Sequence, residues 1–330
     1  MKNRRDSNCE KVGLDKAGGL SYIRFTSNQS TTRERGNQSG RIPHFAALII
    51  YRSCVMRYTR SLQLRQSLYR GTNMNSERDI KGAIIKQYDD EAQELDTASW
   101  LARDDDVRVP EPGAAHYFVG RKVAMGLKLC GNRLSDSTRV LEIGCSFGQM
   151  TALLAKRFSH LTAVDISPKS VQIAEKRLRT YGLNHVHFAV DDAESLRSVS
   201  DNSFDVVFSF STLRFCPQPE KALTAIKDKL RPDGIAIIDF PNRNSPWHLL
   251  MKPLLGIKPH IYDRLYTASE AMELFRKSGY TVEQVKCFLF TSRRLPVFLL
   301  PLFAVIDFVL ERAPLLSKLA GIIMVKGVKK

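Results

Sequence analysis

The sequence lacks the features that would place it in several large protein classes. Its six cysteines are scattered, and no pair has the spacing of a zinc site or a redox dithiol. We therefore expect free thiols in a reducing, cytoplasmic compartment and no bound metal. No apolar run with a small-residue cleavage site follows the basic N-terminus, so no signal peptide is predicted. The most apolar stretch, 295–320, is too short and too interrupted by proline to predict a spanning helix.

Acidic residues are scarce only at the start of the chain. The formal net charge is +16, yet residues 1–73 hold 14 Lys and Arg against 4 Asp and Glu, which leaves a net charge of only +6 for residues 74–330. A basic balance confined to one quarter of the chain is weak evidence for nucleic-acid binding. The Asn/Asp-Pro-Pro-aromatic tetrad that is common in nucleic-acid-modifying enzymes is also missing. We therefore expect no nucleic-acid partner.

The basic extension, residues 1–76, is rich in Arg, Ser, Asn and Gly and has little periodicity. Three interpretations are open. It is a disordered tail, because its polar composition buries too little apolar area to offset the ordering entropy. It is a transit-like presequence, because it is rich in Arg and Ser and poor in acids. Alternatively, translation starts at Met74 and the leader is not part of the protein.

From residue 77 onward, apolar β-type runs alternate with amphipathic helical runs. Strands such as "RVLEIG", "LTAVDIS" and "FDVVFSF" are continuously apolar and are separated by helices such as "PKSVQIAEKRLRTYG". This alternation predicts an α/β fold, a mostly parallel sheet covered by helices on both faces. Residues 77–330 are predicted to form one such domain, with insertions at 241–266 and at 291–320.

The turn "EIGCSFG" follows the first predicted strand and has too few glycines for a dinucleotide site. The pattern is E-x-G-x-S-x-G, without the middle glycine of G-x-G-x-x-G, and no Lys-Ser/Thr pair follows Gly148. Gly144 and Gly148 allow a sharp turn and close backbone approach to a ligand. Glu142 would repel a pyrophosphate but suits a cationic ammonium or sulfonium group. The turn therefore favours a cationic nucleoside ligand.

Two further carboxylates complete the outline of that ligand. Asp165 ends the second strand 21 positions beyond Gly144, where a carboxylate accepts hydrogen bonds from ribose hydroxyls. Asp192, preferred over Asp191, ends the third strand and is predicted to accept from an adenine amino group. Adenine, ribose and a positively charged tail without phosphate together describe S-adenosylmethionine.

Five stretches in order resemble the motifs of class I S-adenosylmethionine-dependent methyltransferases, in the small-molecule branch with a methyltransferase-11-type domain. They are "VLEIGCSFGQMT", "AVDISPKSV", "DDAES…DNSFDVVFSFSTLRFCPQPEKAL", "LRPDGIAIIDFPN" and "YTASEAMELFRKSGYTVEQV". The resemblance covers about residues 80–290. It implies a doubly wound, seven-stranded, Rossmann-like sheet with an apolar helical insertion before an antiparallel last strand. It also implies a set of cofactor-binding residues: Glu142, Gly144, Cys145, Ser146, Gly148, Asp165, Ile166, Asp192, Ala193 and Phe210.

The sequence departs from the family pattern at two places. Ser146 stands where glycine is usual, and we expect it to be tolerated because serine is small. "TLRFC" stands where many relatives carry a histidine pair after the fourth strand, which argues against histidine chemistry at that position. Cys145 is expected to be a packing residue, because nothing near it in sequence would lower its pKa.

No catalytic residue is dictated by the reaction, because a sulfonium is a good leaving group and catalysis rests on positioning. A base is needed only where the acceptor must lose a proton. Weak candidates are His248, His260, Arg214 and Tyr88, for which ordinary surface or structural positions are the competing interpretation.

The acceptor is expected to be a small molecule, and the two apolar insertions suggest a lipid-like or isoprenoid one. Residues 295–320 are also predicted to make a peripheral membrane contact. The alternative inside the class is a sugar or polyketide intermediate. Outside the class, the alternatives are an NAD-dependent oxidoreductase and a catalytically silent partner protein that keeps the cofactor fold. The oligomeric state is not predicted.

Overall fold

The protein was analysed as a computed structural model that describes residues 76–97, 114–254, 262–293 and 295–330. Nearly all of the basic extension and His260 lie outside the described residues. The first two helices, α1 (Glu77–Thr97) and α2 (Ala114–Cys130), precede the sheet. The remaining helices are α3 (Gln149–Ala155), α4 (Pro168–Thr180), α5 (Pro219–Lys229), α6 (Lys252–Leu254), α7 (Ala268–Lys277) and α8 (Leu300–Leu310).

Seven strands form one sheet in the order β3-β2-β1-β4-β5-β7-β6. They are β1 (Arg139–Ile143), β2 (His160–Asp165), β3 (Val186–Val190), β4 (Phe204–Ser209), β5 (Leu230–Pro241), β6 (Tyr280–Phe288) and β7 (Ile322–Lys329). Strands β1 to β5 are parallel, and β7 runs antiparallel to both β5 and β6. The predicted mostly parallel seven-stranded sheet with an antiparallel last strand is confirmed.

The strand order reverses between β1 and β4, which pair from Val140↔Val206 to Ile143↔Ser209. In open parallel sheets a ligand binds outside the carboxyl ends of the strands at this reversal. The buried residues of β1, β2, β4 and β5 are nearly continuous apolar runs because helices cover both faces. The ligand site is therefore expected at the edge of the sheet where β1, β2, β3 and β4 end.

Local sequence signals fix the helix boundaries that frame this edge. Ser167 caps α4 by accepting a hydrogen bond from the Ser170 amide at 3.0 Å, and Pro168 occupies the first turn. At α7 the Thr267 hydroxyl accepts from the Glu270 amide at 3.2 Å, and the Glu270 carboxylate accepts from the Thr267 amide at 2.8 Å. These two reciprocal hydrogen bonds form a capping box at the start of α7.

The apolar insertion before the last strand is helical, as predicted. It comprises a 3₁₀ turn (Val297–Leu299), helix α8 and a second 3₁₀ turn (Leu316–Leu319) before β7. The other insertion carries a π-helical turn (Trp247–Met251) that continues into α6. Among the described helices, none is both long and apolar enough to cross a membrane.

Candidate active site

The turn between β1 and α3 depends on left-handed backbone conformations. Gly144 and Gly148 have φ of +79° and +76°. A Cβ at Gly144 would lie 1.8 Å from the Thr212 hydroxyl oxygen, and one at Gly148 would lie 3.1 Å from backbone of α4. Ser146 also has a positive φ, +46°. Glycine is favoured at position 146 because of this left-handed backbone conformation, and the small size of serine does not remove the strain.

Asp165 holds this turn in place from the end of β2. Its carboxylate accepts from the Ser146 amide at 2.8 Å and from the Ser167 amide at 3.0 Å. Burial raises the pKa of Asp165, while the backbone donors of Ser167 and Ser146 oppose that shift. A carboxylate has about four acceptor positions, so these two bonds leave capacity for ligand hydroxyls.

Glu142 lies inside β1 and is 1% exposed. Among the described residues, its Oε2 atom has no hydrogen-bond partner. Burial raises its pKa to about 7, the Thr151 hydroxyl lowers it, and the negative charge of Asp165 raises it further. A buried carboxyl oxygen without a partner is costly unless a ligand supplies a donor or a positive charge. This side chain therefore fits a cationic ligand group.

The structure separates the two neighbouring aspartates at the end of β3. Asp191 is used within its own turn, where it accepts from the amides of Asp192 at 2.8 Å and Ser198 at 2.6 Å. Asp192 accepts from the Glu194 amide at 3.0 Å and from Lys81 Nζ at 2.7 Å. Asp192 is thus the carboxylate of the pair that reaches groups outside its own turn, and Ala193 is buried beside it.

Helix α1 lies across the ends of β2 and β3. Lys81 pairs with Asp192 and, at 2.6 Å, with Glu194, and Asp89 accepts from the Ser167 hydroxyl at 2.5 Å. Sequence reasoning missed Lys81 and Asp89. The signal available was weak, a Glu77–Lys81 pair with helical spacing.

Tyr88, a weak catalytic candidate, also lies on α1 and packs edge-on against Phe215 with ring centroids 6.0 Å apart. Burial raises the pKa of Tyr88, and the negative charges of Glu91 and Asp165 add to this. The phenol therefore stays protonated at neutral pH. Half-buried Ile166 follows Asp165 at the same edge.

Two of the predicted cofactor residues are core residues in the structure. Cys145 is buried, and burial raises the pKa of its thiol well above the usual range. This agrees with a packing role. Phe210 is buried, stacks on Phe208 with centroids 5.6 Å apart, and would lie 3.2 Å from a Cβ at Gly126 of α2. The contacts of the Phe210 ring are therefore with the core beneath α2.

A polar cluster lies between the end of β4 and the first insertion. The Arg214 Nε donates to Asp263 at 2.6 Å, and Lys252 Nζ lies 3.6 Å from the other oxygen of Asp263. His248 belongs to this cluster: burial lowers its pKa to about 4, and the positive charges of Lys252 and Arg214 lower it further. Within the described residues, its Nδ1 atom is buried without a partner.

A buried ion pair beneath this region was also missed from the sequence. Lys122 of α2, 0% exposed, pairs with Asp239 of β5 and donates to the Ser211 hydroxyl at 2.6 Å. The Ser211 amide donates to Asp239 at 2.5 Å. Burial lowers the pKa of Lys122, while the charge of Asp239 raises it. This pair ties α2 to the ends of β4 and β5.

Comparison with known proteins agrees with this architecture. Residues 141–238 match the family model described as a methyltransferase domain. The ubiquinone biosynthesis O-methyltransferase of Paracidovorax citrulli is 27% identical over 155 residues, which is 45% of this chain and 65% of that protein. The protein of the same name from Aeromonas salmonicida is 27% identical over 44% of this chain and 64% of its own length. The chain thus spans just under two thirds of the length of these curated relatives.

The chain is also similar to solved structures of methyltransferases. A methyltransferase of Thermotoga maritima, described as a possible histamine N-methyltransferase, has a TM-score of 0.47 and 22% identity, and covers 66% of this chain and 91% of its own. Magnesium protoporphyrin IX methyltransferase of Synechocystis has a TM-score of 0.46 and 16% identity, over 66% of this chain and 84% of its own. Residues 141–238 thus match a methyltransferase domain, and the order of the seven strands agrees with the class I methyltransferase fold predicted from the sequence.

Proposed function

We propose that this protein transfers a methyl group from S-adenosylmethionine to a hydroxyl oxygen of a small, lipid-like acceptor. The observation that carries the proposal is the set of Glu142, Asp165 and Asp192, which lie at or close to the carboxyl ends of the neighbouring strands β1, β2 and β3, beside the strand-order reversal. Glu142 and Asp165 keep oxygen acceptor positions for a ligand, and Asp192 pairs with Lys81, which lies outside its own turn. These three carboxylates support a ligand that carries a positive charge and hydroxyl groups.

Each carboxylate takes one part of the cofactor. Glu142 receives the ammonium group of the methionine end, because its buried Oε2 needs a cationic partner. Asp165 receives the ribose hydroxyls, and Asp192 with the Ala193 amide receives the adenine edge, against Ile166. Because Lys81 already contacts Asp192, α1 contributes to this end of the site.

S-adenosylmethionine held by these three carboxylates would supply an electrophilic methyl group: the acceptor oxygen would form the O–C bond as the S–C bond breaks, and the electron pair of that bond would stay on a neutral sulfur. The chain must position the hydroxyl and receive its proton. The Nδ1 atom of His248 has no partner among the described residues, and the imidazole is neutral at pH 7, so it can accept a hydrogen bond from the hydroxyl and take its proton as the O–C bond forms and makes that proton strongly acidic. Arg214 and Lys252 lie in the same cluster, and their positive charges would stabilise an acceptor oxygen that loses its proton before the transfer.

Two facts favour a lipid-like acceptor. Both insertions expose large apolar side chains, among them Leu250 at 62% and Phe298 at 75%. The curated relatives carry a name from ubiquinone biosynthesis and are named O-methyltransferases, which supports oxygen as the methylated atom. A sugar acceptor would require polar side chains on these segments in place of the apolar ones.

The test is methyl transfer by the full-length protein from labelled S-adenosylmethionine to a fractionated lipid extract. We expect label in an organic-soluble product that alkaline treatment shows to be an ether. His248→Gln is expected to lower kcat about 100-fold while the affinity for S-adenosylmethionine is unchanged. The exposed Asp201→Asn serves as a matched control with full activity. Label only in water-soluble products would contradict the lipid-like acceptor.

A further inference from the structure

Helix α8 has the reverse of the usual amphipathic arrangement. Asp307 is 0% exposed and faces the body of the protein. Its carboxylate accepts from the Phe290 amide at 2.5 Å, from the Thr291 hydroxyl at 2.6 Å and from the Tyr117 hydroxyl at 3.0 Å. The helix is therefore anchored through a buried acid, although its sequence is almost wholly apolar.

The second acid of the segment is anchored in the same way. Glu311, four residues after Asp307, accepts from the Leu289 amide at 2.9 Å and pairs with Arg121 of α2. Residues four apart share one helix face, so the inward face of α8 carries both acids. The attachment of the helix is polar, and its apolar side chains are left to the outside.

The outward side of this segment is an apolar surface. In α8 the exposed side chains recur at helical spacing, with Leu302 at 58%, Val305 at 60% and Phe308 at 58%. The flanking turns add side chains that are at least as exposed, such as Phe298 and Leu315. We define the α8 surface as Val297, Phe298, Leu302, Val305, Phe308, Val309, Leu315, Leu316 and Leu319. A contiguous apolar sequence exposed in this way marks an interaction surface.

The charges beside the α8 surface have one sign. Exposed Arg312 and Lys318 lie within the segment, and exposed Arg293 lies just before it. The Arg312 guanidinium stacks 3.5 Å from the centroid of the Phe308 ring, at the α8 surface itself. Since the two acids of 295–320, Asp307 and Glu311, are turned inward, the exposed charged residues of this described segment are basic.

This charge pattern favours an anionic lipid surface over a second copy of the chain as the partner of the α8 surface. A second copy docking by the same face would bring Arg312 and Lys318 against the same basic groups without an acid to pair them. An anionic lipid surface offers negative headgroups to the basic side chains and acyl chains to the apolar ones. Helix α8 is only 11 residues long, which suits a helix lying in the plane of the interface.

We propose that the α8 surface docks the protein on an anionic phospholipid bilayer, with α8 parallel to the membrane plane. Phe298, Leu302 and Val305 enter the boundary between headgroups and acyl chains, and Arg312 and Lys318 contact the headgroups. Docking needs neither the cofactor nor methyl transfer, so it is independent of the proposed function. Where both hold, the membrane is the source of the apolar acceptor.

The test is flotation of the full-length protein with vesicles of phosphatidylcholine alone or of phosphatidylcholine with phosphatidylglycerol, without cofactor. We expect binding to the anionic vesicles that weakens as salt is raised. Leu302→Glu with Val305→Glu is expected to lower the vesicle-bound fraction at least about tenfold, because two apolar side chains are lost from the interface. Arg312→Gln with Lys318→Gln is expected to lower it less and to reduce the salt dependence.

The control variant is Gln172→Glu with Ser200→Glu, which adds the same two charges at exposed positions elsewhere and should float like the wild type. Full vesicle binding by the Leu302/Val305 variant, with its circular dichroism unchanged, would overturn the proposal. So would a wild-type dimer that fails to float and that this variant converts to a monomer. Because no cofactor is present, a failure of methyl transfer leaves this result unaffected.

Discussion

The edge of the sheet and the α8 segment both bury acidic side chains, but they use them in opposite ways. Asp307 has all its acceptor positions used by its own chain, through two amides and two hydroxyls. Glu142 is as deeply buried, yet no described residue satisfies its Oε2. A buried carboxylate saturated by its own chain is structural, and one left with capacity is available to a ligand.

The largest effect is expected on the free energy of unfolding when Asp307, the carboxylate saturated by its own chain, is replaced. Asp307→Ala removes the acceptor of the Tyr117 and Thr291 hydroxyls and of the Phe290 amide. Leaving these donors without partners should lower the free energy of unfolding by at least about 3 kcal/mol. Denaturant unfolding measures this loss, and affinity for S-adenosylmethionine in the folded protein should not change. A loss below about 1 kcal/mol would contradict a structural role for this acid.

The next largest effect is expected for Gly144→Ala, which tests the turn at the proposed cofactor site. Its Cβ would clash with Thr212 at 1.8 Å. Gly182→Ala is the matched control, because Gly182 also has a positive φ, +69°, but no described atom lies within 4 Å of its added Cβ. Both variants carry about 1–2 kcal/mol of backbone strain. Gly144→Ala should lose more stability than the control and should also lose cofactor binding, as calorimetry would show. Equal losses in the two variants would refute the close packing of the turn.

A smaller effect is expected from the ionisation of Glu142. Its folded-state pKa of about 7 lies above the ordinary value of 4.5. The stability it contributes is therefore fully present below pH 4.5 and is lost as pH rises through about 7. Cofactor binding should change in the opposite direction, since the ionised carboxylate attracts the ammonium group.

Glu142→Gln tests this pH dependence. Relative to wild type, it should weaken S-adenosylmethionine binding about tenfold at pH 8 and much less at pH 6, because the wild-type side chain is largely neutral at the lower pH. Binding titrations at the two values measure the difference. A deficit that is the same at both pH values would show that the Glu142 charge plays no part.

The smallest effect is at Ser146. Replacing a serine at φ +46° by glycine relieves left-handed strain, so Ser146→Gly should raise the free energy of unfolding by up to about 1 kcal/mol. Cofactor affinity should be unchanged, because the Ser146 amide still donates to Asp165. Asp233→Gly, at φ +62° and exposed, is a comparison outside the turn. A loss of affinity in Ser146→Gly would assign the serine hydroxyl a role in binding.

Most of the fold was readable from the sequence, because parallel strands and amphipathic helices leave local signals. The apolar runs predicted β1, β2 and β4, and the amphipathic run "PKSVQIAEKRLRTYG" predicted α4. The turn carboxylates were also readable, since their spacing from Gly144 is set by one strand–helix–strand unit. Their roles toward a cofactor stay predictions.

The features that could not be predicted from the sequence depend on contacts between residues far apart in the chain. Lys81 meets Asp192 across 111 positions, and Lys122 meets Ser211 across 89, and no local pattern announces either contact. The family resemblance implied Phe210 as a cofactor residue, which stays a prediction; that its ring packs beneath α2 depends on a helix distant in sequence. In 295–320 the sequence showed an apolar helix but not that its acids face inward.

Calorimetry of the full-length protein tests the central claim most directly, with S-adenosylmethionine and NAD titrated separately into wild type, Asp165→Ala and the control Asp201→Asn. The carboxylate edge described here predicts binding of S-adenosylmethionine and not of NAD, with binding lost in Asp165→Ala and retained in Asp201→Asn. Binding of NAD in place of S-adenosylmethionine, or undiminished binding by Asp165→Ala, would contradict it.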